Sequence, residues 1–154
     1  MKALFFWAGN DLPLLGIKCI RSFHINGFET LVYSPEPEKL RISLGDDITC
    51  INSDEILPRS LLDEFKQKNK KGYYPKFADL FRAKALLENP NSWWFDTDVL
   101  CLKNVSFFKN LSSKNEGKML VGSQSKGMLN NAVIGPGNLE VMKKYEKSLF
   151  EFAE

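Results

Sequence analysis

The sequence predicts an α/β fold, a sheet with parallel strands flanked by helices, and three stretches carry that prediction. The N-terminal region runs from an apolar segment through an amphipathic one to a second apolar segment, the strand–helix–strand order of a parallel sheet. "KFADLFRAKALLEN", residues 76–89, has the apolar spacing of a helix. It feeds directly into "NSWWFDTDVL", residues 91–100, an apolar stretch interrupted by two carboxylates. At 154 residues the chain is sized for one domain, so 1–154 is taken as a single unit.

Taken in order, "ALFFWAG" (3–9) reads as a buried strand stopped by Gly9, Asn10 and Asp11. Pro13 suits a first helical turn. Leu14, Ile17, Cys19, Ile20 and Phe23 then form a broad apolar face, with Gly27 as the C-terminal cap. "FETLVYSPEP" (28–37) is a second strand, stopped by Pro35 and Pro37. A short strand is expected around 48–51. A helix follows over 59–70, with Leu61, Leu62 and Phe65 inward, and "GYYP" (72–75) breaks it. In the helix over 76–89, Phe77, Leu80, Phe81 and Leu87 form the buried stripe, ended by "NPN". Beyond the 91–100 strand, "GKMLVGSQ" (117–124) and "LNNAVIGPGN" (129–138) predict two more strands. A final helix over 139–154 carries Met142, Tyr145, Leu149 and Phe152 at helical spacing.

Composition excludes several function classes. Hydrophobic residues make up 44% and charged residues 26%, an ordinary globular balance that supports a real core. A formal charge of +2 is too mild for nucleic acid or an anionic membrane surface. The basic run "KQKNKKG" (66–72) reads as a solvated helix end and loop. Cys19, Cys50 and Cys101 are widely spaced among apolar neighbours, so three buried free thiols and a cytoplasmic setting are expected. The first apolar run is brief for a signal peptide, and no segment approaches the roughly 18 apolar residues of a membrane span.

The chemistry concentrates in residues 91–100. Burying an unpaired carboxylate costs several kcal/mol or forces it to take up a proton, yet Asp96 and Asp98 interrupt this apolar segment. Strand side chains alternate between faces, so residues two apart point the same way. At the C-terminal end of a strand, both carboxylates would project into the crevice where open α/β sheets bind ligands. A hard divalent cation between them removes their mutual repulsion. Two solvated Asp in a turn would give the same pattern. Upstream, Asp79 and Arg82 are three residues apart on one helix face. They either form a surface ion pair or line the same crevice. The sole histidine, His24, sits in the first helix without nucleophilic partners, and no phosphate-binding Gly-rich motif is present.

Together these residues resemble a known family. "FADLFRAKALLENPNSWWFDTDV" is similar to the core of the DXD-containing glycosyltransferases, which include yeast-type mannosyltransferases and bacterial capsular-polysaccharide sugar transferases. The matching positions are Ala78, Asp79, Arg82, Asp96 and Asp98. "LFFWAG", "CIRSFHINGFETLVYSPEP" and "NNAVIGPGN" resemble the family's first strand, its first helix with second strand, and its downstream segment. The resemblance implies a GT-A-type, Rossmann-like nucleotide-sugar-binding fold, a mixed sheet flanked by helices. It implies a metal-dependent glycosyltransferase that moves a sugar, with retention, from a UDP- or GDP-sugar to a glycan or other hydroxyl acceptor in polysaccharide biosynthesis. Asp96 and Asp98 would hold Mn²⁺ or Mg²⁺, with Asp98 the direct ligand and Asp96 nearer the ribose. Asp79 and Arg82 would line the donor pocket, and Arg82 is grouped with the two Asp as catalytic. Trp7, Ala8 and Gly9 would border the nucleotide, Tyr33 would lie near its base, and Asn130 and Asn131 would approach the sugar.

The family usually has Gly-Gly before the DXD strand, where this chain has "NPNSW". Its members also continue past the final helix, so a missing C-terminal part, a completing protein partner or a degenerate copy is expected. Two other readings stand beside this one. A nucleotide-sugar-binding module would bind the donor without turnover. A haloacid-dehalogenase-type phosphatase also places Asp-x-Asp after an apolar strand, but Leu100 stands where its motif wants Thr or Val.

Overall fold

A computed structural model describes residues 1–68 and 73–151. Six strands form one mixed sheet: β1 (Lys2–Phe6), β2 (Glu29–Ser34), β3 (Thr49–Asn52), β4 (Trp93–Phe95), β5 (Val121–Ser123) and β6 (Leu129–Ile134). Among the described residues, α1 (Leu14–Ile25), α2 (Pro37–Leu44), α3 (Arg59–Lys68), α4 (Tyr73–Glu88) and α5 (Val105–Lys114) lie between strands, and α6 (Leu139–Glu151) follows β6. The strand order is β3-β2-β1-β4-β6-β5. β1 pairs in parallel with both β2 and β4, and β2 with β3, whereas β6 runs antiparallel to β4 and β5.

Helices cover both faces. Leu4, Phe6, Leu31, Tyr33, Trp94 and Ile134 pack on one side against residues of α3, α4 and α6. Ala3, Phe5, Val32, Trp93 and Phe95 pack on the other side against α1 and α2, with Phe108 and Leu111 of α5 at its margin. Strands buried on both faces read as continuous apolar runs, which is how β1 and β2 look in the sequence.

Several boundaries differ from expectation. The 91–100 strand shortens to β4, because Asp96, Thr97 and Asp98 leave the ladder in a turn closed by the Val99 N–H on the Asp96 carbonyl at 3.0 Å. The helix over 59–70 and the helix over 76–89 are separate, as expected, but Tyr73, Tyr74 and Pro75 of "GYYP" belong to the second, and Gly72 lies outside the described residues. α4 begins at Tyr73 and takes Pro75 in its first turn, where a missing N–H costs nothing. Leu86 is buried, and Leu87 is only partly so. Pro37 starts α2 instead of merely ending a strand. The end of the expected 59–70 helix, part of the basic run at 66–72, and Phe152 lie outside the described residues. The three cysteines are free and buried, as expected.

Candidate functional site

The chain visits β1, β2 and β3 in one direction across the sheet, then crosses back to lay β4 on the far side of β1. The strand order therefore reverses between β1 and β4. Connections there leave in opposite directions, and a crevice opens beyond the strand ends. That crevice is a cleft of about 590 Å³. Phe6, Trp7, Ala8 and Gly9 line it from the end of β1, and Trp94, Asp96, Thr97 and Asp98 from the end of β4. Pro13, Leu15 and Gly16 of the first helical turn and its approach form one wall; Pro75, Ala78 and Arg82 of α4 form another. A smaller hollow adjoins it at Ala8 and Gly9 and reaches Ser34, Glu36 and Arg59 beyond the end of β2.

The two carboxylates reach the cleft by different means. Asp96 follows Trp94 on the α4 side of β4, and its backbone N–H still donates to the Ala132 carbonyl at 2.8 Å. Its Oδ1 accepts the Trp94 indole N–H at 2.8 Å and pairs with the Arg82 guanidinium at 3.3 Å. Asp98 sits past the strand end, exposed, with no hydrogen bond among the described residues. Its charge is felt inward: burial pushes the Cys19 thiol pKa up, and the Asp98 carboxylate pushes it further. The sequence argument that period two aligns both side chains is thus corrected. A turn, not strand alternation, brings Asp98 to the cleft.

Arg82 is the hub. It is 5% exposed, and its guanidinium pairs with Asp79 and Asp96 at 3.3 Å each. It also donates to the Asn131 carbonyl and, through Nε, to the Ala78 carbonyl at 3.4 Å, and its Cζ lies 5.4 Å from the Trp94 ring centroid. A buried cation is tolerable only with such pairing. Asp79 Oδ1 takes a second bond from Asn131 Nδ2 at 2.9 Å. Burial raises the Asp79 pKa and Asp96 adds to the rise, against the lowering by Arg82 and Asn131. The Asp79–Arg82 pair is therefore no loose surface contact.

Asn131 reaches this network because the β5–β6 register slips. Val121 lies opposite Ile134, but Gly122 lies opposite Asn130. Ile134 packs on the α4 side and Val133 on the α1 side, so strict alternation would send Asn131 away from α4. The slip turns it back. Asn130 instead accepts the Ala132 N–H at 2.8 Å. Neither Asn lines the cleft wall. Tyr33 is also set back: its ring packs on Phe81 at 5.5 Å between centroids and its hydroxyl accepts from Asn89 at 3.2 Å, while its neighbour Ser34 lines the adjoining hollow. Sequence reasoning missed Tyr145 at this network, a partly buried α6 residue whose hydroxyl pKa burial raises and the nearby Asn131 lowers. It also missed Trp94 as the brace of Asp96. An indole two residues before a strand-end Asp, on the same face, was the available signal.

No protein-family model matches the sequence, and no curated protein matches it. Among solved structures the chain matches one described as "PaToxG Glycosyltransferase", with a TM-score of 0.69 at 12% sequence identity. The chain shares its fold with that structure. The match covers 99% of this chain and 60% of the other, so the chain spans about three-fifths of its neighbour's length. At that identity the likeness is one of backbone path. Within this shared fold, the cleft at the β1–β4 reversal and the Asp96–Arg82–Asp79 network are features of this chain's own residues. Among the described residues no helix is long and apolar enough to cross a membrane.

Proposed function

We propose that this chain is a metal-dependent glycosyltransferase that transfers a sugar, with retention, from a UDP- or GDP-sugar to a glycan or other hydroxyl acceptor, in a cytoplasmic step of polysaccharide assembly. The observation that carries this reading is the placement of Asp96 and Asp98 on the cleft at the sheet's reversal point, in a glycosyltransferase fold.

The donor set is compatible with Mn²⁺ or Mg²⁺. No group of three or more His, Cys, Asp or Glu side chains is gathered for a metal among the described residues. Two carboxylates nevertheless suffice for an ion that completes its shell with water and diphosphate oxygens. Asp96 spends Oδ1 on Trp94 and Arg82, which leaves Oδ2, and Asp98 is unengaged among the described residues. A bound cation would neutralise the diphosphate charge as it leaves.

The remaining work falls to the chain. Arg82 holds Asp96 in place and keeps positive charge beneath the cleft, while Trp7, Ala8 and Gly9 border the nucleotide. The Trp7 indole N–H is buried without an acceptor beside the cleft, a donor that a bound ligand can satisfy. With both carboxylates given to the metal, transfer takes a front-face route through an oxocarbenium-like state. The sugar C1–oxygen bond to diphosphate breaks, the acceptor oxygen bonds C1, and the acceptor's proton passes to the leaving phosphate.

Calorimetry with Mn²⁺ and UDP- or GDP-sugars, paired with an assay for released nucleotide, tests this reading. Metal-dependent binding with release on adding an acceptor is expected. Binding without release would leave a donor-binding module. No nucleotide binding, with hydrolysis of a simple phosphate ester, would replace the reading with a phosphatase.

A further inference from the structure

The segment after the Asp96–Asp98 turn has no regular structure until α5, yet it is fastened by hydrogen bonds to the last turn and C-cap of α1. Near the start of α1, the Thr97 carbonyl lies 3.6 Å from where a Cβ on Gly16 would stand, an ordinary packing distance. In the last turn of α1, the Ser22 hydroxyl accepts the Cys101 N–H at 2.8 Å while donating to the Cys19 carbonyl at 2.5 Å. One turn on, Asn26 Nδ2 donates to the Cys101 carbonyl at 3.2 Å and to the Ser22 carbonyl at 2.8 Å. At the far end, the Val105 N–H donates to the Asn26 carbonyl at 2.8 Å. Both backbone groups of Cys101 are thus held by α1 side chains, and its own side chain is buried between the exposed Leu100 and Leu102.

Asp98 is three residues from that anchor and has no hydrogen bond among the described residues. An exposed ligand on irregular backbone loses conformational freedom when it binds, and fixing the backbone beforehand lowers that cost. We infer that Ser22 and Asn26 are positioning residues for Asp98. Through Cys101 they fix the path of the segment that presents the carboxylate, so the helix that walls the cleft also sets the place of the metal ligand. This rests on the reading of Asp98 as a metal ligand. Neither residue touches the cleft, so each acts only through the strap.

The test compares UDP and GDP binding by calorimetry, with Mn²⁺ and in EDTA, for wild type, Ser22→Ala, Ser22→Thr and Asn26→Asp, with thermal unfolding alongside. Ser22→Ala should weaken the Mn²⁺-dependent affinity roughly five- to tenfold, the effect of losing about one hydrogen bond. Binding in EDTA should be unchanged, and Ser22→Thr, which keeps the hydroxyl, should restore the loss. Asn26→Asp, which removes the donor to Cys101, should show the same selective loss and serves if Ser22→Ala does not fold. Equal losses with Mn²⁺ and in EDTA would assign these residues a merely structural role and overturn the inference. Unchanged affinity in the variants would overturn it while leaving the metal site standing. A wild type indifferent to Mn²⁺ would overturn both.

Discussion

The two faces of β4 place the same short strand in opposite surroundings. On the α1 side, Trp93 and Phe95 stack at 6.0 Å, and Phe95 also meets Phe23 at 4.1 Å and Phe108 at 5.8 Å. On the α4 side, Trp94 packs against Phe81, but the next position on that face is Asp96, tied to Arg82 and Trp94. One face is dry and aromatic to its end; the other gives way to charge at the cleft. The contrast shows how carboxylates can follow an apolar strand. The dry face holds the strand in register, and the charged face supplies counter-charge where the strand stops.

The largest expected effect lies on the dry face. Phe95→Ala should cost about 3–5 kcal/mol, the usual range for emptying a buried aromatic site, read from the denaturant midpoint. Arg82→Met tests the charged face. It leaves Asp79 and Asp96 without their cation, and removing one partner of a buried ion network costs about 3 kcal/mol or more. Stability near wild type for Arg82→Met would mean that the network is not holding this edge. Asp79→Asn should have the smallest effect, visible in the pH dependence. The raised Asp79 pKa means that the folded state holds more protons than the unfolded one from 3.8 up to the raised value. Stability from this group therefore falls as pH rises through that window. In EDTA, denaturant midpoints of Asp79→Asn minus wild type should rise with pH there; a flat difference would contradict the burial of Asp79.

Much of this was legible in the sequence because it depended on period and composition. β1, α1 and β2 are apolar patterns that only a parallel sheet with a covering helix satisfies, and α4 with β4 follow the same logic. α2 was hidden because Pro35 and Pro37 read equally as strand stops and as a helix start. α5 was hidden by its polar residues: Ser106, Lys109, Asn110, Ser112 and Ser113 leave only a thin apolar stripe. Within the site, Asp79, Arg82, Asp96 and Asp98 could be read from spacing. Asn131's turn toward Asp79 depends on a register slip that no local pattern marks. Ser22 and Asn26 look like ordinary helix residues until Cys101 is seen against them, a contact 79 residues away for Ser22.

The most direct measurement is nucleotide binding by Asp98→Ala in the presence of Mn²⁺. Asp98 is exposed and bonded to nothing among the described residues, so its removal should leave the unfolding midpoint within about 0.5 kcal/mol of wild type. The account predicts that this variant loses Mn²⁺-dependent UDP or GDP binding while staying folded. An Asp98→Ala protein that binds the nucleotide with Mn²⁺ as tightly as wild type would contradict the metal site at the centre of the proposed function.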